Sequence, residues 1–193
     1  IDGRIEINGE VFDAVILAVA PYHIDALLPE DTPDYIQTVY QSLHYHAITT
    51  VYLRYAQAVK LPAPLTGFAD GTAQWVLHRG ALGLPDNEVA VVISVSDYTE
   101  AWKDKDLAEK IHADIKRICP DLDKPEAVRI ITEKRATTAA TVDFVQPDFS
   151  WLHHRRIYPA GDYLHPRYPA TLEAAVQSGF AAAEKLMLDL RFE

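Results

Sequence analysis

Two stretches toward the C-terminal end carry the residue types best suited to hold a ligand. Ile157-Tyr158-Pro159-Ala160 reads as a short strand that runs into Gly161-Asp162. After a spacer, Tyr168-Pro169-Ala170 leads into Thr171-Leu172-Glu173-Ala174-Ala175-Val176-Gln177-Ser178-Gly179, which reads as the opening of a helix. The first turn of a helix leaves amide groups without intrahelical partners and exposes the positive end of the helix dipole, so it suits an anion. A carboxylate placed just after a strand, here Asp162, can accept a hydrogen bond from a sugar-type hydroxyl. Small residues at Ala174, Ala175, Ser178, Gly179 and Ala182 would let the helix lie close against a sheet. An ordinary strand–loop–helix unit would share this composition; the order of residues across 157–179 is what singles the segment out.

Other chemistry is weakly supported. His44 and His46 stand two apart and His153-His154 are adjacent, but none has the helical i, i+4 spacing of a zinc protease and no cysteine pair assists them. No metal site is therefore expected, and His153-His154-Arg155-Arg156 reads as a solvated loop. The single cysteine, Cys119, closes an amphipathic stretch before Pro120 and reads as a core residue. No internal disulfide is possible, which fits a reducing compartment. A G-x-S-x-G elbow is absent, so a serine hydrolase of that type lacks support. Glu133-Lys134-Arg135 reads as an exposed charge run at a strand end, while Trp75 and Tyr52 are either plain core or the wall of an apolar tunnel. No residue is assigned a catalytic role.

The elements that must position these groups follow from periodicity. Asn8-Gly9 after the alternating Arg4-Ile5-Glu6-Ile7 predicts a tight hairpin. It feeds Val11 to Val19, whose apolar run reads as a strand buried on both faces. Thr32-Pro33 predicts a helix start, with Thr32 as cap and Pro33 in the first turn. Strands are expected at 48–55, at 65–69 and 72–78 around Asp70-Gly71, at 88–96, at 127–132 and at 156–160. Helices are expected within 100–119 and over 171–190, and a loop over 137–147. The 193 residues carry a net charge of −10 with a pI near 5.2, which argues against nucleic acid as the main partner. No apolar run approaches the ~20 residues of a membrane-spanning helix, and no charged-then-apolar leader opens the chain.

The string from Tyr158 to Glu184 resembles the C-terminal motif of the flavin amine oxidase and carotenoid desaturase superfamily: a Gly-Asp pair, a spacer, and a helix that opens with Glu173 and continues to Ser178-Gly179. The match is closest to the squalene-associated FAD-dependent desaturase branch, which includes the hydroxysqualene dehydroxylases. Asp13-Ala14-Val15-Ile16-Leu17-Ala18-Val19-Ala20-Pro21 and Ile48-Thr49-Thr50-Val51-Tyr52-Leu53 support it. Gly71-Thr72-Ala73-Gln74-Trp75-Val76 and Glu133-Lys134-Arg135-Ala136-Thr137 point to the branch itself. The strand at Ile48-Thr49-Thr50 lacks the lysine usual in amine oxidases, which argues against amine oxidation.

The resemblance implies an FAD-dependent oxidoreductase acting on a squalene-type isoprenoid, either removing a hydroxyl or desaturating. It implies that Asp162 holds the ribityl chain with Gly161 beside it in the cofactor site, that the amides near Leu172 and Glu173 face the flavin pyrimidine edge, and that Thr171 lines the same site. The implied fold is α+β: a mixed-sheet substrate domain with helices, plus the C-terminal strand–helix piece of an FAD-binding domain. Its expected divisions are returning strands of the cofactor domain at 1–30, a substrate domain at 31–152 and the closing cofactor segment at 153–193. No G-x-G-x-x-G occurs, the chain opens Ile1-Asp2-Gly3-Arg4, and its one methionine is Met187. We therefore expect the C-terminal part of a longer enzyme, inactive alone, whose partner is its own N-terminal FAD-binding part. A cytoplasmic setting with peripheral membrane contact is the matching expectation. The rival expectation is a non-enzymatic α+β module that binds an apolar ligand or a partner chain without flavin.

Overall fold

The computed structural model describes residues 4–100, 102–141 and 147–191, and its chain divides into two compact units. One comprises Ile1–His44 with Thr138–Glu193; the other is Tyr45–Thr137. Helix α1 (Asp34–Gln41) and residues 138–152 thus belong with the two ends of the chain, whereas the sequence grouped them with the central segment. Helices and sheets are mixed as the α+β expectation requires. The last part of the expected 137–147 loop lies outside the described residues.

The central unit is built on a five-stranded sheet in the order β5-β6-β7-β4-β8. Its strands are β4 (Tyr45–Arg54), β5 (Leu65–Gly67), β6 (Trp75–His78), β7 (Glu88–Ser94) and β8 (Ala127–Thr138). Strand β4 pairs antiparallel with β7, from Ile48 opposite Ser94 to Arg54 opposite Glu88. Alternation makes the sheet two-sided. Val51, Leu53, Val76, Val89, Val91 and Ile93 point to one face, where Leu107, Ile111 and Ile115 of α2 (Asp104–Lys116) close a core of residues at most 4% exposed. The spacing of those helix residues is the apolar stripe that the sequence showed. Thr49, buried among them, donates to the Ser96 hydroxyl at 2.9 Å and pairs with Thr132 at 2.8 Å, so its own hydroxyl is satisfied.

Asp114 on α2 ties the β5–β6 connection to the helix. Its Oδ2 accepts the Thr72 and Ala73 amides at 2.6 and 2.9 Å. Gly71 sits in the left-handed region at φ 104°, and a Cβ there would stand 2.6 Å from the Asp114 carboxylate. The Asp70-Gly71 signal is thus a hairpin as expected, but its turn is wide and held from outside: β5 ends at Gly67 and β6 starts at Trp75.

In the terminal unit, β1 (Ile5–Ile7) and β2 (Glu10–Phe12) form the predicted hairpin, with Asn8 and Gly9 at φ 53° and 84°. The long apolar strand expected across Val11–Val19 shrinks to β3 (Val15–Leu17), which pairs in parallel with β9 (Ile157–Pro159). Its middle residue, Ile16, is 37% exposed, so β3 is not buried on both faces. The Thr32 hydroxyl donates to the Pro29 carbonyl instead of capping, and Pro33 takes the cap position of α1. His153 and His154, expected in a solvated loop with Arg155 and Arg156, instead end a short helix, α3 (Ser150–His154), in which Leu152 is fully buried and His153 stacks on Tyr158 at 5.1 Å. Cys119 packs at the edge of the central core and its thiol donates to the Lys60 carbonyl; burial raises its pKa, which keeps it protonated.

Candidate functional site

Strand β9 is buried at all three residues, and the Ala160 amide extends its pairing to the Leu17 carbonyl at 3.0 Å. The chain then leaves the sheet at Gly161. Its amide donates to the Ser178 hydroxyl at 3.0 Å, which binds the strand end to the long helix α4 (Leu172–Arg191). A Cβ on Gly161 would stand 2.3 Å from the Tyr163 ring, so only glycine lets that buried tyrosine fold back beneath the turn. The small-residue stripe on α4 works as predicted at one register. Ala174 and Ala182 are buried, with Ser178 between them, and Ala182 joins Tyr158 and Ala160 in a small core. Ala175 faces outward.

Asp162, half-buried, opens a single turn of tight helix through Leu164. Its carbonyl accepts the Ala170 amide at 3.2 Å, so the spacer closes as a loop and brings Gly161-Asp162 to the beginning of α4. Ala170 adopts φ 59°, an uncommon left-handed conformation for a residue with a side chain. Thr171 is the cap: its Oγ1 accepts the Ala174 amide at 3.1 Å and donates to the Tyr168 carbonyl at 3.0 Å. The amides of Leu172 and Glu173 find no acceptor among the described residues, and the Leu172 side chain is 89% exposed. The Glu173 carboxylate accepts from Gln177 at 2.6 Å. All five residues singled out in the sequence thus gather at one end of the terminal unit, although the Thr171 hydroxyl is engaged in capping.

The sequence reading missed what holds this loop. His165 Nδ1 accepts the Arg167 and Tyr168 amides, both at 3.2 Å, which leaves Nε2 as the donor to Gln177 Oε1 at 3.0 Å. Its ring also stacks on Tyr168 at 3.9 Å. Nothing in a lone histidine seven residues ahead of the helix signals this. Beyond the loop, Tyr158 donates to Asp189 at 2.9 Å, and Lys185 pairs with the same carboxylate, whose pKa the lysine lowers. Burial, then the Lys185 charge, depresses the His153 pKa. The remaining histidines do not converge: His46 meets Asp97 at 3.4 Å, and no three potential metal ligands come together among the described residues.

Chemically, the site offers two unpaired amides at the positive end of a 20-residue helix, an exposed apolar side chain between them and open space, and a carboxylate a short loop away. Those groups match the demands of a flat ring with a polar, electron-accepting edge and a hydroxylated chain, and they fit a flavin nucleotide.

Comparison with known proteins agrees. Hydroxysqualene dehydroxylases from Zymomonas mobilis and Rhodopseudomonas palustris are 28% and 33% identical over 183 and 180 residues. These matches cover 89% and 91% of this chain but only 38% of either relative, so the chain spans well under half their length. In fold it resembles putrescine oxidase with a TM-score of 0.65 at 14% identity, over 93% of this chain and 43% of the oxidase. The similarity to the squalene-associated branch inferred from the motifs is upheld by the two dehydroxylases. The family model described as flavin containing amine oxidoreductase matches residues 2–187; the chain belongs to that family, and FAD is its cofactor.

Proposed function

We propose that these residues form the C-terminal part of an FAD-dependent oxidoreductase acting on a squalene-type isoprenoid, by dehydroxylation of hydroxysqualene or by a related desaturation. The observation that carries the reading is the loop closure that brings Asp162 to the capped but otherwise unpaired start of α4. Asp162 would accept a hydrogen bond from a ribityl hydroxyl, and the Leu172 and Glu173 amides would face the electron-rich edge of the ring. FAD, when bound, supplies the redox chemistry; the chain orients it and keeps water from reactive species. The terminal unit takes the cofactor role and the central unit the substrate role. The N-terminal FAD-binding part, with its glycine loop, completes the cofactor site in the longer protein. Because such a substrate dissolves in lipid, the proposal includes a cytoplasmic enzyme with peripheral membrane contact. Family membership disfavours the rival flavin-free module.

Asp162→Ala in the full-length enzyme should weaken FAD retention by about 1.5–3 kcal/mol, the worth of a charge-assisted hydrogen bond. Flavin titration followed by absorbance is the measurement, and unchanged affinity removes Asp162 from the site. The 193 residues alone should bind FAD weakly; tight binding would show that no further part is needed.

A further inference from the structure

The Gly71–Val76 motif belongs to the central unit, whereas the proposed cofactor residues belong to the terminal one. With Asp114 holding the Thr72 and Ala73 amides, the backbone that would continue the β6–β7 ladder past Trp75 is occupied. The Gln74 side chain takes its place: Nε2 donates to the Ser94 carbonyl at 3.0 Å, and Oε1 accepts the Ser94 amide at 2.9 Å. Trp75 follows immediately. Its indole lies over Gly67, its cross-strand partner, so closely that a Cβ on the glycine would stand 2.9 Å from the ring. A tryptophan fixed by a glycine seat and an amide clamp would ordinarily belong to a core, yet Trp75 is 49% exposed while its neighbour Val76 is fully buried.

Alternation puts Trp75 on the sheet face opposite α2. Along the ladder it shares a row with Val92, and the next row runs from Leu65 through Leu77 and Ala90 to Tyr52. None of these side chains is charged. The row ends at a groove of about 510 Å³ where Tyr52 and Ile131 meet Arg79 and Glu88. There Arg79 pairs with Glu88 at 2.5 Å and its guanidinium covers the Tyr52 ring at 5.4 Å, while Arg54 and Arg129 also line the groove, so the row ends at a basic margin. Short of that margin, the two uncharged rows complement an extended apolar chain and offer it one flat aromatic surface that cannot swing away.

We propose that Trp75 is a substrate-contact residue whose indole face seats the hydrocarbon chain of the isoprenoid, with Gln74, Gly67 and Asp114 as its positioning residues. The assignment rests on the flavoenzyme reading above, but its test does not require turnover. Squalene in detergent micelles is the probe, added to the full-length protein. Trp75→Ala should raise the squalene Kd, and the KM for hydroxysqualene, about tenfold through lost aromatic burial, while kcat and the flavin absorbance near 450 nm stay as they were. Trp75→Phe should raise both by about two- to threefold. Gly67→Ala keeps the indole but pushes it off its seat and should act like Trp75→Ala, so the proposal remains testable if the alanine variant at 75 fails to fold. Unchanged squalene binding in Trp75→Phe and Gly67→Ala overturns the proposal, as does a wild-type protein that does not bind squalene. Squalene binding that depends on Trp75 in a protein without flavin or turnover supports this inference and sinks the reaction assignment instead.

Discussion

The central and terminal units bury their apolar residues in different ways. In the central unit, one core joins three central strands to α2, and its residues are at most 4% exposed. In the terminal unit, the buried residues fall into two smaller clusters, one around Ile24, Ile36 and Leu152 and one around Tyr158 and Ala182. Its strands are three residues long, and along α4 Leu172, Val176, Phe180, Met187 and Leu188 are all at least half exposed. A 20-residue helix with one narrow buried stripe and so much open apolar surface is shaped to be covered on more than one side. The sheet unit carries its stability within itself; the terminal unit carries the proposed cofactor contacts on a framework that its own residues cover only partly.

The sharpest way to break this contrast is to remove a core side chain from each kind of environment. Ile111→Ala, in the closed core, should cost about 2–5 kcal/mol in denaturant unfolding. Phe180→Ala on α4, 67% exposed, should stay within about 0.5 kcal/mol in this chain; comparable losses at both sites would erase the distinction. Next in size, Thr171→Ala should lower the stability of the terminal unit by about 1 kcal/mol through the lost cap. Hydrogen exchange would show faster opening at the start of α4 with the sheet amides unchanged, and equal acceleration in both units would contradict their separation.

The smallest effect concerns pH. His112 in the central unit and His153 in the terminal unit both have pKa values lowered from 6.5, by burial first and then by nearby lysines. A histidine with a folded pKa below its unfolded value binds more protons when unfolded, so stability rises with pH across that interval. The contribution is complete above about pH 6.5 and is lost as the pH falls through the depressed range. Lys185→Met should move the His153 titration upward and leave His112 in place, as followed by proton NMR; a His112 shift of the same size would mean that the two histidines do not titrate independently.

Much of the fold was legible because its signals were local. Asn8-Gly9 predicted the left-handed turn, the β4 and β7 strands showed their apolar content, and the stripe of Leu107, Ile111 and Ile115 predicted α2. Strand β8 was expected to stop at Thr132 but runs on to Thr138 through Glu133-Lys134-Arg135, since an edge strand can carry charges into solvent while its backbone still pairs. The apolar run after Phe12 overstated β3, because composition records burial in some environment without saying which atoms supply it. At the candidate site, the Gly-Asp pair and the helix opening were visible, and the loop that joins them was not. That closure depends on Ala170 at positive φ and on His165 facing Gln177, twelve residues away in sequence. Asp114 was equally silent, with its partners more than forty positions off.

Asp114 also links two surfaces that share no side chain. It stands on the helix behind the sheet, yet by drawing off two backbone amides it decides where β6 begins, and so where the indole on the front is anchored. Variation at the back of the sheet would therefore retune the front by changing a strand's starting point, with every residue of the apolar face kept intact.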